Sequence, residues 1–274
     1  MFTGPDNRPT LMGILNVTPD SFSDGGKYTS PDVAVAHART MVEEGADIID
    51  IGGESTRPGS SPVAVDEQIA RVVPVIRLLN SDERFTGRIS IDTASSEVAE
   101  AALDAGARIV NDTSGGLDKG LVESAARHNA AVIFMHMQGT PKTMQDDPSY
   151  DDVVTEVRDA LLARADRALN LGLPRSHIAL DPGIGFGKKR RHNLELIAGL
   201  RQFVETGFPI VVGASRKRFM GAICEETVPA ELIGATCATT ALGVDAGVQV
   251  FRVHDVKANR QAADVAWALK TTRE

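Results

Sequence analysis

Two sets of polar residues are notable for their types and for where they fall. One is acidic or neutral: Asp92 in RISIDT, Asn111 in RIVNDTSGG and Asp181 in HIALDPGIGF. A carboxylate accepts two parallel N–H bonds, so this set suits the donor edge of an aminated heterocycle. The other is basic: Arg57 in ESTRPG, Lys217 in ASRKRF, and Arg252 and His254 in FRVHD. It suits a phosphate or a carboxylate. A pocket with both sets wants a nitrogen heterocycle that bears an anionic group. Asn16, in ILNVTPDSF, adds a neutral oxygen suited to a Mg2+ that keeps most of its waters and bridges to a substrate phosphate. No Cys or Ser paired with a base is evident, so covalent catalysis is not the obvious mechanism. If the anion is a leaving diphosphate, the protein need only stabilise developing charge and hold a nucleophile in line.

These residues lie at the ends of short, β-branched apolar runs. The runs are LMGILNV, ADIIDIGG, RISIDT, RIVNDTSGG, AVIFMHM, HIALDPGIGF, PIVVGAS and VQVFRVHD. Ala-rich or amphipathic stretches separate them, among them VAVAHARTMVEEGA, DEQIARVVPVIRLLN and SSEVAEAALDAGA, and several end in Gly as a helix C-terminus does. Eight strand-then-helix units within 274 residues predict an α/β fold, a (β/α)8 TIM barrel forming a single domain over 1–274, with 1–10 as an N-terminal extension. An open doubly wound sheet uses the same units. The count of eight and the lack of a GxGxxG turn after the first run favour the barrel.

Barrel sites form at the C-terminal ends of the strands, where alternate residues face the lumen. Parity puts Ser90 and Asp92 opposite Ile89 and Ile91, and Arg252 and His254 opposite Phe251 and Val253. It also puts Asn16 opposite Leu15 and Val17, and Asp181 opposite Leu180, while Asn111 and Ser215 fall near strand ends. Convergence from several strands on one rim is more specific than any one residue.

Simpler readings compete. Asp92, Ser114 and Ser215 each suit the N-cap of a following helix. Asp50, inward and mid-strand, reads as a paired structural carboxylate, because an unpaired one would be costly there. His136 has outward parity and reads as a satisfied core histidine, while His37, His128, His177 and His192 read as surface residues. The glycine pairs at 52 and 115 and GIGFG at 183 serve tight turns or let backbone N–H groups approach a ligand.

A net charge of −8 argues against a nucleic-acid partner, and the KKRR run at 188–191 is too short to overturn that. Cys224 and Cys237 have no CxxC spacing and read as buried or partly buried free thiols. No apolar stretch is long enough to span a membrane and no N-terminal signal is evident, so a cytoplasmic protein without membrane contact is expected.

In order along the chain stand MGILNVTPDSFSDGG, DIIDIGGESTRPG, ISIDT, IVNDTSGG, FMHMQGTP, ALDPGIGFGK, VGASRKRF and RVHDV. With these motifs the chain resembles the dihydropteroate synthase family, folate-pathway enzymes and sulfonamide targets. The resemblance implies condensation of 6-hydroxymethyl-7,8-dihydropterin diphosphate with p-aminobenzoate. It implies a pterin pocket of Asp92, Asn111, Met135, Asp181, Gly213 and Lys217. The implied diphosphate site is Asn16, Arg57, Arg252 and His254, with Mg2+ on Asn16. The implied p-aminobenzoate site is Thr56, Pro58, Phe186, Lys217 and the backbone near Arg218, at the start of a helix. It implies a dissociative mechanism without a general base, and a homodimer through the late helices around IGATCATTALGVDAG. Arg218 replaces the small Ser of some members. The loop from Thr18 to Gly26 is expected to act with ESTRPG as a lid that excludes water.

Corrinoid methyltransferases resemble the same pterin pocket but would not be expected to carry ESTRPG or SRK. A non-catalytic pterin-binding paralogue should lack an anion ligand, and Asn16, Arg57, Lys217, Arg252 and His254 are all present.

Overall fold

The computed structural model describes residues 2–18, 31–54, 62–116, 118–140 and 142–273. Among them the chain alternates β1 (Thr10–Asn16), α1 (Pro31–Glu43), β2 (Ile48–Gly52), α2 (Val65–Asn80), β3 (Arg88–Thr93), α3 (Ser96–Ala105), β4 (Ile109–Asp112), α4 (Lys119–Arg127), β5 (Ala131–Met135) and α5 (Val153–Asn170). It continues through β6 (Ile178–Asp181), α6 (Arg190–Ala198), α7 (Leu200–Val204), β7 (Val211–Val212), α8 (Arg218–Cys224), α9 (Ile233–Ala246), β8 (Val250–Val253) and α10 (Val256–Thr271).

The eight strands form one sheet in the order β6-β5-β4-β3-β2-β1-β8-β7, and the pairings between them are parallel. A parallel bridge between Leu180 and Ile210 joins the two ends and makes the ring a nearly closed barrel. Parallel strands need a crossover that covers the sheet, and helices supply it here.

Strand alternation divides the core into two layers. Leu11, Leu15, Ile49, Ile51, Ile91, Val110, Phe251 and Val253 point outward and pack against the helices. Met12, Ile48, Ile109, Ile133, Val211 and Val250 point inward and fill the lumen. Phe2, 1% exposed, joins the inner cluster, so the N-terminal segment packs onto the barrel lumen. Burying such a ring stabilises the fold by roughly 1.5–3 kcal/mol.

Helix starts are set by short polar side chains. Ser95 caps α3 by accepting from the Val98 N–H, Asp118 caps α4 through the Gly120 N–H, and Asp152 caps α5. The N-cap of α8 is Lys217, so Asp92, Ser114 and Ser215 are not the caps of the helices that follow them. The thiol of Cys224 differs from expectation: it is exposed, because α8 buries Phe219, Met220 and Gly221 and turns its C-terminal end to solvent, while Cys237 is half-buried. Among the described residues no helix is long and apolar enough to cross a membrane.

Candidate active site

Register aligns the polar rim. Asn16 pairs with Gly52, Gly52 with Asp92, and Asp92 with Asn111 across four adjacent strands. Gly52 has no side chain to fill this tier: a Cβ there would lie 3.5 Å from Asn16 Oδ1 and 3.7 Å from Asp92 Oδ2. The amide and the carboxylate thus look into a common space. Across the barrel, Met135 pairs with Asp181 at the ends of β5 and β6. A single pocket is lined by Asp92, Asn111, Met135, Asp181, Phe186, Gly213, Lys217 and Arg252. Thr113 and Ile184 line it too, although nothing in the sequence reading singles them out. Thr113 shares the parity of Ile109 and Asn111, and that is the signal by which it could be found.

Arg252 organises the floor. Its Nε donates to Asp50 Oδ2 at 2.6 Å and its terminal nitrogen to Asp92 Oδ2 at 2.6 Å. Asn111 Nδ2 donates to the same Asp50 oxygen at 3.0 Å. Asp50 is the paired structural carboxylate that its inward, mid-strand place implied. Arg252 therefore spans both the heterocycle set and the anion set, and the two are not separate in space. Among the described residues Asp92 Oδ1 is buried with no hydrogen-bond partner, with the Thr113 hydroxyl offsetting part of the cost of the charge. Burial pushes the Asp92 carboxyl up to about 7, opposed by Arg252 and reinforced by Asp50. Burial also raises Asp181, against the Gly183 N–H that donates to it at 2.7 Å. Two carboxylates held at such cost, one of them with an open acceptor, are suited to take N–H donors from a ligand.

The cationic wall is Lys217, whose Nζ stands 3.9 Å above the centre of the Phe186 ring. Burial lowers Lys217 to about 8, and Arg252 pushes in the same direction. Phe186 sits in the loop after β6, where Gly183 takes a φ of +66° and lies so close to the β5 end that a Cβ would fall 1.9 Å from the His136 carbonyl oxygen.

The SRK segment divides. Lys217 enters the pocket, whereas Arg216, at φ +57°, turns to Asp255 and holds it through Nε at 2.9 Å and a terminal nitrogen at 2.6 Å. Beside that pair, Ser215 Oγ lies 3.0 Å from His254 Nδ1 and accepts from the His254 backbone N–H. These two contacts fasten the loop after β7 to the loop after β8. Arg218 is exposed at the first position of α8. His136 is buried, with Nδ1 3.1 Å from Lys188 Nζ, as its parity implied. Thr56, Arg57 and Pro58, and the expected lid beyond Thr18, lie outside the described residues.

No cluster of three His, Cys, Asp or Glu side chains able to hold a metal occurs among the described residues. A Mg2+ would have to draw on substrate oxygens and water, and Asn16 Oδ1, facing the acidic rim beside Gly52, fits that mode of binding.

A parallel barrel that gathers buried acceptors, an amide and two cations at the C-terminal rim of its strands defines a pocket enzyme of the TIM-barrel class. The chain belongs to the pterin binding enzyme family, whose profile it matches over residues 12–254. It is 45% identical over 263 residues to the dihydropteroate synthase of Synechocystis sp., covering 96% of this chain and 90% of that one. The structure of Xanthomonas albilineans dihydropteroate synthase with 4-aminobenzoic acid is 42% identical and superposes with a TM-score of 0.90 over 96% of this chain and 94% of that one. The same enzyme in complex with 7,8-dihydropteroate superposes at 0.87, with 39% identity and the same coverage.

Proposed function

We propose that the chain is an enzyme that joins 6-hydroxymethyl-7,8-dihydropterin diphosphate to p-aminobenzoate, giving 7,8-dihydropteroate and diphosphate. The observation that carries this reading is that Asp92, Asp181 and Asn111 line one pocket together with Lys217 and Arg252, in a chain similar to dihydropteroate synthases over nearly its whole length. Asp92 and Asp181 take the N–H edge of the pterin. Asn111 and Met135 complete that pocket, and Gly213, lacking a side chain, leaves room for the ring.

The reaction is dissociative in this reading. The bond from the pterin methylene carbon to the diphosphate oxygen breaks, with its electron pair leaving on the diphosphate. The cation that remains is attacked by the lone pair of the arylamine, which then sheds a proton. An aniline is largely unprotonated at neutral pH, so the protein must position it and needs no base to activate it. Arg57, Lys217, Arg252 and His254 would stabilise the departing charge, and Asn16 would hold a Mg2+ that neutralises the diphosphate. Thr56, Pro58, Phe186 and the backbone near Arg218 would seat p-aminobenzoate, with the Phe186 ring against the aryl ring. The segment following Thr18 would cover the cation from water.

We also infer a cytoplasmic homodimer. Leu242 on α9 and Val265 and Leu269 on the adjoining α10 are large apolar side chains left more than half exposed, and a second copy covering them would remove that area from water. Release of diphosphate by purified protein given the pterin diphosphate, p-aminobenzoate and Mg2+ tests the activity. Release that needs p-aminobenzoate supports it; no release favours a protein that only binds the pterin.

A further inference from the structure

Lys188 opens the KKRR run, yet it is only 3% exposed and points inward. Its Nζ donates to the Phe186 carbonyl at 2.8 Å and the His136 carbonyl at 3.3 Å, and lies 3.1 Å from His136 Nδ1. Burial lowers Lys188 to about 7, against the pull of Asp181; in its protonated form it has three protons, and these three acceptors use them all. With Lys188 protonated, His136 Nδ1 is the acceptor, and burial, which lowers His136 to about 2, keeps that ring neutral.

The neighbouring carbonyls are held in the same way. Gln145 Nε2 donates to the Gly185 carbonyl at 3.0 Å, and the Tyr150 hydroxyl donates to the Gly187 carbonyl at 2.8 Å. Three successive carbonyls, at 185, 186 and 187, are thus each taken by a side chain from outside the turn or just beyond it. The Gly185 N–H is taken as well, by Asn193 Oδ1 at 2.6 Å. A turn so fully satisfied has one place for its single pocket-facing ring, Phe186, and that ring in turn carries Lys217 on its face.

We propose that Lys188 is a positioning residue: its ammonium, with His136 as a neutral acceptor, fixes the Phe186 platform and so sets affinity for the aryl-amine substrate rather than for the pterin. This rests on the reaction proposed above. Lys188 is also one of the charges that lower Asp181, but the smallest of them. On its loss Asp181 keeps the larger pull of Lys217 and Arg252 and its own bond from the Gly183 N–H, and the pterin side changes less than the turn. Removing the ammonium leaves the buried His136 carbonyl, the part-buried Phe186 carbonyl and a ring nitrogen without that donor, and the turn relaxes toward water to satisfy them.

The test is steady-state kinetics on the full-length chain. Diphosphate release by the unaltered protein first establishes the underlying reaction, independently of Lys188. Lys188→Met should then raise KM for p-aminobenzoate by about tenfold while kcat and KM for the pterin diphosphate stay within about threefold. An unchanged aryl-amine KM, or an equal rise for both substrates, overturns the proposal. If circular dichroism shows that Lys188→Met does not fold, the double variant Gln145→Ala, Tyr150→Phe loosens the same turn while leaving Lys188 in place. It should raise the aryl-amine KM selectively by about threefold, and no selective rise overturns the proposal equally.

Discussion

Arg252 Nε meets the Asp50 carboxylate at 2.6 Å, joining β8 to β2 across β1 through two side chains that are far apart in the chain. Asp50 is fully buried, so it is the fixed end of this pair and Arg252 is the group it aims. The same guanidinium reaches Asp92, which places a structural carboxylate one contact behind one that lines the pocket.

Asp50→Asn keeps the volume and removes the charge. Arg252 is left with one carboxylate instead of two, and breaking a buried pair from one side costs about 3 kcal/mol. Urea unfolding should show a loss of that order, and kcat/KM for the pterin diphosphate should fall with it. Unchanged stability would mean that Arg252 holds its place without Asp50.

The acidic limb of activity should follow Asp92. Its carboxyl, pushed up to about 7 by burial, must be ionised to accept a pterin N–H, so affinity for a pterin lacking diphosphate should weaken as the pH falls through about 7. The stability effect has the opposite sense. The folded protein holds this proton more tightly than the unfolded chain, whose Asp pKa is about 3.9. The stabilisation from this group is complete below that value and is lost as the pH rises through about 7. Asp92→Asn should flatten the slope of unfolding free energy against pH between those limits, as read from denaturant titrations at several pH values.

Lys217 should govern the alkaline limb. Burial lowers it to about 8, so it loses its proton, and its pull on an anion, above that pH. The kcat/KM profile should fall there. Lys217→Arg retains a charge that does not titrate in this range, so the alkaline fall should disappear even where the absolute rate is lower. Persistence of the limb in that variant would assign it to another group.

Two glycines with positive φ separate backbone strain from close packing. A Cβ at Gly172, where φ is +93°, would meet nothing within 4 Å, so Gly172→Ala should cost about 1 kcal/mol from strain alone. Gly183 combines φ +66° with a clash at 1.9 Å against the His136 carbonyl oxygen. Gly183→Ala should cost several times more in thermal or urea unfolding and should displace the N–H that Asp181 accepts. Equal costs at both sites would mean that the loop after β6 shifts freely.

Side-chain alternation makes the barrel and most of its rim legible in the sequence. The inward places of Asp92, Asn111, Asp181 and Arg252 follow from period two, and so does the outward, buried place of His136. Thr113 keeps the parity of Ile109 and Asn111, but it stands just past the end of β4 at Asp112, so finding it takes carrying the alternation one residue beyond the strand. The partner of Asp50 is beyond reach, because parity shows that a carboxylate is buried without showing which of several distant cations meets it. Lys188 is the opposite case. It stands in a run of four cations that looks solvated, and only the folded turn shows its ammonium inside, among carbonyls. The exposed Cys224 has a related cause: helical patterning does not reveal that α8 stops after seven residues.

The central claim is that a bond forms between the pterin methylene carbon and the arylamine nitrogen. Mass spectrometry of the product made from p-aminobenzoate with a heavy-nitrogen amine tests this directly when diphosphate is measured in the same reaction. The label should appear in 7,8-dihydropteroate, with one diphosphate released for each labelled product. Diphosphate released without labelled dihydropteroate, or no diphosphate at all, would contradict the claim.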